Sequence, residues 1–306
     1  MVLTLRSVVR KAGGLFPSVR AERRLQRLHD IVARLDHISL GSSATYVGNN
    51  RVLLRIIAGV HIFILYVHAD DKLISPWLIA EGRYEPDLTS FFVREIKPDS
   101  HCIDVGANLG YFTCLMAKYA LDGKVIALEP NPFVHALAAD NILINALHER
   151  SAVWNVAASD REGELTLFHR VGRAGNTSVA ACGDEFTREM REPPEEAFQV
   201  SMIRIDGLLD HLSGRVDFMK IDVEGAEPLA LAGARATITA NPQLQIVMEW
   251  APDQIRLAGF DIAAFVRDIS AMGLEPFVLS SGVPQRVSND DLIGLGYQQG
   301  VLLRRI

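Results

Sequence analysis

Acidic and glycine residues that could hold a small ligand occur together in the stretch CIDVGANLGYF, residues 102–112. Apolar residues run into Asp104, and Gly106 and Gly110 frame Asn108. In a parallel α/β sheet, ligands bind beyond the carboxyl ends of the strands, where a glycine-rich turn lets the backbone approach them. Asp104 would repel a pyrophosphate there but could accept hydrogen bonds from an amino group or a hydroxyl. The dinucleotide fingerprint GxGxxG is absent, because Asn108 occupies its middle position, so a dehydrogenase is disfavoured.

A second carboxylate follows at a spacing suited to a nucleoside. The segment VIALEPNP places Glu129 at the tip of the next predicted strand. A carboxylate about 20 residues beyond a glycine-rich turn can accept hydrogen bonds from both hydroxyls of a ribose. Together, Asp104 and Glu129 predict a nucleoside that carries a cationic amino-acid tail and no phosphate. S-Adenosylmethionine fits this description.

A third group of charged residues lies in FMKIDVEGAEPLAL, where Lys220, Asp222, Glu224 and Glu227 end a strand and begin a helix. Alternation along the strand would point Lys220 and Asp222 to the same side, with Asp222 facing the cleft. Methyl transfer to a hydroxyl benefits from a base that removes the hydroxyl proton. Asp222 suits that role and Glu224 is a second candidate, whereas Glu227 is explained by favourable charge at a helix N-terminus.

A metal site is the alternative for the same acids. Glu249 ends the neighbouring predicted strand and could share a divalent cation with Asp222, which would lower the pKa of an acceptor hydroxyl. Two acids at strand tips are common in α/β clefts, so a simple base is preferred and no metal is predicted. None of the nine histidines has ligand spacing with another, and His169 is interpreted as a surface residue.

The elements that must position these residues alternate between helix and strand from about Leu73 onward, which predicts a parallel sheet with helices on its faces. Core strands are predicted at residues 101–105, 125–129, 153–157, 217–222, 245–249, 274–279 and 300–304. Helices are predicted to begin near Pro86, Phe112, Pro132, Pro228 and Ile262. Two further short strands, at 164–168 and 199–205, flank a polar stretch, 170–196, that is interpreted as an insertion.

The first 70 residues match none of these patterns and are predicted to form an N-terminal extension, a helix plus a β-hairpin, ahead of a catalytic domain at 71–306. The apolar segment 52–67 is interrupted by Arg55 and His61, so two strands around Gly59 are preferred to a membrane span. Four basic residues precede the first acid, Glu22. They could give weak peripheral contact with an anionic membrane, although a solvated helix face explains them equally well.

Composition sets limits on partners and compartment. The chain has 306 residues and a net charge of −6, which gives no global reason to expect nucleic acid. Its three cysteines lack CxxC spacing, which argues against a disulfide framework or a zinc site and makes a reducing cytoplasm the expected compartment. The sequence does not predict an oligomeric state.

The segments DVGANLGYFT, ALEPNP, NILINAL, NVAASD and KIDVEGAEPLALAGA, in this order, resemble the motifs of the FkbM family of S-adenosylmethionine-dependent methyltransferases. The resemblance covers about residues 74–249, and EGRYEPD resembles the stretch before the first motif. It implies the class I methyltransferase fold, a Rossmann-like α/β fold whose seven-stranded sheet has one antiparallel edge strand and helices on both faces. It also implies methyl transfer to a hydroxyl of a sugar, glycan or related small molecule.

Site residues follow from the same resemblance. The methionine end of the cofactor is assigned to Asp104, Gly106, Asn108 and Gly110, and the ribose to Glu129. Asn131 and the edge at Ala157 and Ala158 are assigned to the adenosine. Apart from the resemblance, Tyr84, in EGRYE, could fold across the cofactor mouth while 170–196 closes the other side; packing of Tyr84 at the helix start and a solvated loop at 170–196 are the commoner roles for such segments. A non-catalytic carbohydrate-binding or scaffold protein on the same fold is the alternative, which a methyl-transfer assay distinguishes.

Overall fold

Residues 44–169, 177–178 and 196–306 are described in the computed structural model. The strands in chain order are β1 (Ala44–Gly48), β2 (Arg51–Ala58), β3 (His61–His68), β4 (Cys102–Val105), β5 (Val125–Leu128), β6 (Ser151–Trp154), β7 (Ala157–Ala158), β8 (Gly163–His169), β9 (Thr177–Ser178), β10 (Glu196–Ile203), β11 (Phe218–Ile221), β12 (Gln245–Trp250), β13 (Glu275–Ser280), β14 (Val283–Arg286) and β15 (Gln298–Arg304). The helices are α1 (Ile74–Glu81), α2 (Pro86–Glu95), α3 (Tyr111–Tyr119), α4 (Pro132–Ile144), α5 (Glu227–Ala232), α6 (Arg235–Ala240), α7 (Pro252–Leu257), α8 (Ile262–Ala271) and α9 (Asn289–Gly294), with a 3-10 helix at Ile205–Leu212.

The central sheet has the order β14-β13-β15-β12-β11-β4-β5-β6. Strands β12, β11, β4, β5 and β6 are parallel to one another, and β15 runs antiparallel to both β12 and β13. The predicted α/β class is confirmed, with two differences. Strand β15, antiparallel to both neighbours, lies inside the sheet, and β14 adds an eighth strand, also antiparallel, at the edge, because the chain turns back after β13 through Ser281 and Gly282, both at positive φ.

Helices cover both faces of this sheet, as predicted. Apolar residues of α1, α2, α3 and the end of α4 form one buried cluster, and those of the 3-10 helix and α5 to α9 form a second cluster on the opposite face. The strands between them are buried on both sides, as parallel strands covered by helices are. The carboxyl ends of the parallel strands therefore open at one edge of a rigid scaffold.

The predicted hairpin is present, since β2 and β3 pair antiparallel across a turn at Gly59, and β1 adds a third strand. Leu54 of β2 and Phe63 of β3 share a core with Phe92 and Leu115, and the residues from Ala44 to Ile306 form one compact unit. Residues 1–43 lie outside the described residues, as do the predicted N-terminal helix and the basic stretch. The boundary near residue 70 stays a prediction.

Two asparagines of α4 and its C-terminus bind the backbone of β3. Asn141 accepts a hydrogen bond from the Tyr66 N–H (2.6 Å) and donates one to the Tyr66 carbonyl (2.9 Å). Asn145 makes the same pair of bonds with Ile64. Four residues of a helix and two of a strand both advance about 6 Å, so the two amides meet alternate strand residues. Asn141 also donates to the Leu109 carbonyl (2.8 Å), which links the hairpin to the glycine-rich turn.

Strands β7, β10, β8 and β9 form a second sheet. The two short strands predicted at 164–168 and 199–205 correspond to β8 and β10, which pair antiparallel. Most of the predicted insertion, 170–196, lies outside the described residues. The strand predicted at 153–157 is divided, because β6 ends at Trp154 and Ala157 belongs to β7, where it pairs with β10.

The helix predicted from Pro228 to Asn241 is also divided, into α5 and α6. The break is at Gly233, whose carbonyl accepts a hydrogen bond from the Asp206 N–H. A β-carbon at this glycine would lie 2.0 Å from the carbonyl oxygen of Ser159, so the chain there is packed against a neighbouring segment. Within the described residues, none of the helices is both long and apolar enough to cross a membrane.

Candidate active site

A cleft opens beyond the carboxyl ends of β4, β5, β11 and β12. Its empty volume, including the open mouth, is about 1110 Å³. One wall is the turn after β4, and a second is the Val156–Ala158 edge together with Leu165 and Leu167. The third carries the charged residues at and just beyond the carboxyl ends of β11 and β12. Ala158, which is predicted to lie near the adenosine, lines the cleft.

The turn after β4 is held against its neighbours by backbone contacts. The N–H groups of Gly106 and Ala107 both donate to the Leu128 carbonyl, at 2.9 and 3.0 Å. Gly106 has φ +78, and a β-carbon on it would lie 1.8 Å from the carbonyl oxygen of Asp222, so no larger residue fits. Asn108 also has positive φ, and its side chain accepts from the Leu109 N–H. Gly110 precedes α3 and does not line the cleft.

Asp104 is fully buried beneath this turn. Its Oδ2 accepts a hydrogen bond from the Thr113 hydroxyl (2.6 Å), while Oδ1 is buried without a partner among the described residues. Burial raises the pKa of Asp104, and the nearby Lys220 ammonium opposes that rise. A buried carboxylate oxygen without a partner is costly, so a donor that reaches it would complete its hydrogen bonding. Asp104 does not itself line the cleft, whereas the adjacent Val105 and Gly106 do.

Glu129 lies at the tip of β5 and lines the cleft. Each of its oxygens accepts a backbone N–H, from Asn108 and from Asn131, both at 2.8 Å. Burial raises the pKa of Glu129 to about 7, and the two N–H groups oppose the rise. The carboxylate is therefore fixed in orientation, and a carboxylate oxygen has a second acceptor position that a ligand hydroxyl could use.

Asn131 does not line the cleft. Its side chain caps α4 by accepting from the Phe133 N–H (3.0 Å), and its amide nitrogen contacts Nδ1 of His169 at 2.9 Å. Its backbone N–H reaches the site by donating to Glu129. The interpretation of His169 as a surface residue is wrong, because packing against Asn131 and Phe133 leaves it buried, and this burial lowers its pKa.

Lys220 and Asp222 lie on the same side of β11, as predicted, and form an ion pair with a distance of 2.7 Å between Nζ and Oδ2. The Lys220 side chain is 5% exposed and that of Asp222 is 21% exposed. Burial lowers the pKa of Lys220, but Asp222, Glu85 and Asp104 together raise it above its ordinary value. Nζ also lies 5.0 Å from the centre of the Phe112 ring. A charged lysine therefore holds Asp222 at the mouth of the cleft.

Glu224 and Glu227 have different surroundings. Glu224 has φ +54, lines the cleft and accepts a hydrogen bond from the Gln254 amide. Burial and then Asp222 raise its pKa to about 8. Glu227 is fully buried, and its Oε1 accepts from the N–H groups of Val223 and Gly225, so it holds the turn that carries Glu224. Glu224 faces the cleft, whereas Glu227 stabilises the local backbone.

Glu249 lines the same wall from the tip of β12. Burial, followed by Asp222 and Glu224, raises its pKa, and a hydrogen bond with the Tyr297 phenol opposes the rise. Its Oε2 is buried without a partner among the described residues. Within the described ranges, no three His, Cys, Asp or Glu side chains are arranged to hold a metal ion.

Tyr84 and Glu85 line the cleft from the segment before α2. The Tyr84 ring packs against those of Tyr111 and Phe112, with centroids 5.9 and 6.2 Å apart, and burial raises its pKa. Sequence reasoning singled out Tyr84 and missed Glu85, although both belong to EGRYE. Glu85 lies directly before Pro86, and this position is typical of an ordinary helix start, so the sequence pattern did not indicate a residue of the cleft.

The fold and the site together have the features of the class I methyltransferase fold: a mostly parallel sheet with an inserted antiparallel strand, a glycine-rich turn after its first core strand and acids at the next strand tips. A family model described as a Methyltransferase FkbM domain matches residues 104–269, more than half of the chain. The protein belongs to the FkbM methyltransferase family.

The known proteins that the chain resembles are distant in sequence. The chain is 26% identical over 199 residues to methyltransferase sdnD of Sordaria araneosa, covering 54% of this chain and 76% of the relative. It is 25% identical over 177 residues to the 2-O-methyltransferase NoeI of Sinorhizobium fredii, covering 52% and 70%. The crystal structure of a methyltransferase FkbM from Methylobacillus flagellatus aligns with 14% identity and a TM-score of 0.45, covering 72% of this chain and 48% of that one.

Proposed function

We propose that this protein transfers a methyl group from S-adenosylmethionine to a hydroxyl oxygen of a sugar, glycan or related small molecule, with Asp222 as the base. The observation that carries the proposal is the position of Asp222, which faces the same cleft as the glycine-rich turn and Glu129 and is paired with Lys220. The name of the relative NoeI, a 2-O-methyltransferase, supports transfer to oxygen.

The residues present fit this cofactor. The unpartnered oxygen of Asp104 suits the amino group of the methionine moiety, and the fixed carboxylate of Glu129 suits the ribose hydroxyls. Val156, Ala158 and Leu167 supply an apolar wall for the adenine. When bound, the cofactor supplies a methyl group on a positively charged sulfur, which becomes a neutral thioether after transfer.

The protein's own part in the reaction is to position and deprotonate the acceptor. Asp222 accepts the hydroxyl proton as the oxygen forms its bond to the methyl carbon, and Lys220 keeps the carboxylate oriented. Glu224 and Glu249 line the wall beside Asp222, where their carboxyls can bind neighbouring hydroxyls of the acceptor. An acceptor with several hydroxyls, such as a sugar, fits this polar wall best.

Asp222→Asn tests the role of the base. Asparagine can still accept a hydrogen bond from Lys220, so affinity for S-adenosylhomocysteine should stay within about twofold, while turnover should fall about 10²- to 10⁴-fold. Transfer is followed with tritiated S-adenosylmethionine and a panel of methyl glycosides and oligosaccharides. Asp253→Asn, at a side chain that is 92% exposed, is the matched control and should keep full turnover.

Three results would contradict the proposal. Normal turnover by Asp222→Asn would make Asp222 structural. Label found on nitrogen or carbon would exclude O-methylation as the activity, and loss of activity with chelator that magnesium restores would replace the simple base with a metal shared by Asp222 and Glu249. Cofactor binding is tested separately by calorimetry, where Glu129→Ala should weaken it by about 1 to 3 kcal/mol.

A further inference from the structure

Glu85 is a buried acid that the reaction described above does not use. It is 5% exposed and lines the cleft, and its Oε2 is buried without a partner among the described residues. Such a group is expensive to maintain unless a ligand completes its hydrogen bonding. Its position in the cleft therefore indicates an interaction with a ligand that binds in the cleft.

The backbone at Glu85 is also unusual. Glu85 is the residue that precedes α2, and it has φ +41, a left-handed conformation that side chains other than glycine, asparagine and aspartate rarely adopt. Its carboxyl makes no capping hydrogen bond to the helix. A strained residue at a helix start whose side chain faces a cleft is better explained by a binding role than by support of the helix.

The surroundings of Glu85 identify the kind of ligand. Lys220 and Asp104 are both close enough to affect its ionisation, and Asp104 carries the second unpartnered oxygen next to the glycine-rich turn. Satisfying both oxygens takes a group with more than one N–H or O–H. A hydroxyl has a single proton to donate, whereas an ammonium has three and also offsets the excess of negative charge.

We propose that Glu85, together with Asp104, binds the α-ammonium group of the cofactor's methionine moiety. This inference rests on the proposed function and deepens it, because it assigns a cofactor contact to the segment before α2. The adenosine part of the cofactor would be held independently by Glu129 and the apolar wall. Glu85 should therefore matter for ligands that carry the amino acid and be irrelevant for ligands that lack it.

Loss of a proton from Glu85 on ligand binding provides a second test of the proposal. Burial is the main cause that raises the pKa of Glu85 to about 8. The Lys220 ammonium and a hydrogen bond with Tyr84 lower this pKa, whereas the Asp222 and Asp104 carboxylates raise it further. At pH 7 the free protein thus keeps Glu85 largely protonated, and binding of an ammonium favours the carboxylate. Binding of an amino-acid-bearing ligand should release a proton that Glu85→Gln does not release.

The test compares two ligands by calorimetry: S-adenosylhomocysteine, which has the amino-acid end, and 5′-methylthioadenosine, which lacks it. Glu85→Gln should weaken the binding of S-adenosylhomocysteine about 10- to 100-fold and leave the affinity for 5′-methylthioadenosine within about twofold of the wild-type value. Titrations at pH 7 in two buffers of different ionisation enthalpy measure the proton release. Asp87→Asn, an exposed acid two residues further along, is the matched control and should bind both ligands normally.

Any result of this comparison other than selective weakening of S-adenosylhomocysteine binding overturns the inference. Equal weakening of both ligands would mean that Glu85 supports the fold of the cleft, and unchanged affinity for both would mean that it does not contact the cofactor. A rise only in the acceptor KM would assign Glu85 to the acceptor. If the wild type binds neither ligand, the proposed cofactor itself is wrong. Should Glu85→Gln fail to fold, Glu85→Asn serves instead, because asparagine tolerates positive φ.

Discussion

Replacing Lys220 with methionine tests the electrostatic arrangement of the cleft. The substitution keeps most of the volume of the side chain and removes the ammonium that pairs with Asp222 and lies near Glu85 and Asp104. Three carboxyls then share a largely buried region without a countercharge. We expect the free protein to lose stability and to lose more of it as the pH rises.

The size of the loss follows from burial. Removing one partner of a buried ion pair costs about 3 to 5 kcal/mol. The lower end, about 3 kcal/mol, applies here because Asp222 is 21% exposed and water screens part of its charge. Each carboxyl that keeps its proton only in the folded state makes the free energy of unfolding fall by about 1.4 kcal/mol per pH unit, because the unfolded chain then releases more protons.

Urea unfolding at pH 6, 7 and 8 measures both effects. The difference between wild type and Lys220→Met should be about 3 kcal/mol or more at pH 8 and smaller at pH 6. Lys124→Met, at an exposed lysine, should change the free energy of unfolding by less than about 0.5 kcal/mol at every pH. A loss below about 1 kcal/mol that does not vary with pH would refute the view that Lys220 neutralises the buried acids.

Gly106→Ala should prevent stable folding or cost more than about 3 kcal/mol in thermal unfolding, because the new methyl would lie 1.8 Å from the Asp222 carbonyl oxygen. The cofactor-free protein should lose stability as the pH rises from 5 to 8 in urea titrations, since burial raises the pKa to about 7 for Glu129 and to about 8 for Glu85, and both keep protons that the unfolded chain releases. Asn141→Ala should cost about 2 to 4 kcal/mol in urea unfolding through three lost hydrogen bonds.

Each of these three predictions has a result that would contradict it. Gly207→Ala, with no atom within 4 Å of the new methyl, is the control for Gly106→Ala, and equal stability of the two variants would contradict the close approach. A stability that rises steadily from pH 5 to 8 would show that the buried carboxyls are ionised in the free protein. An unchanged urea midpoint for Asn141→Ala would show that its hydrogen bonds are replaced by water.

The cleft could be predicted from the sequence where a single strand and its following turn determine the position. Asp104, Glu129 and Asp222 each end a parallel strand, and such ends meet at one edge of the sheet, so their proximity follows from the fold class. Lys220 follows from alternation two residues before Asp222. Local patterns and one rule of topology were enough to predict the positions of these residues.

Contacts around the cleft that depend on long-range pairing could not be predicted. Tyr297 meets Glu249 because β15 pairs antiparallel with β12, where Gln298 lies opposite Trp250. No local pattern gives that register. Asn131 was assigned to the adenosine from its motif, but its side chain is used by the cap of α4 and by His169, which reaches it from β8 in the second sheet. Side-chain direction depends on partners that are distant in sequence.

The two amides that bind β3 have a consequence for association. The outer strand of a sheet exposes backbone N–H and C=O groups that can recruit a strand from another molecule. At Ile64 and Tyr66 these groups are already taken by Asn145 and Asn141, so that side of the hairpin cannot template strand addition. A helix that presents amides at a spacing of four residues thus closes an edge without a further strand, and one of these amides, Asn141, also holds the glycine-rich turn through the Leu109 carbonyl.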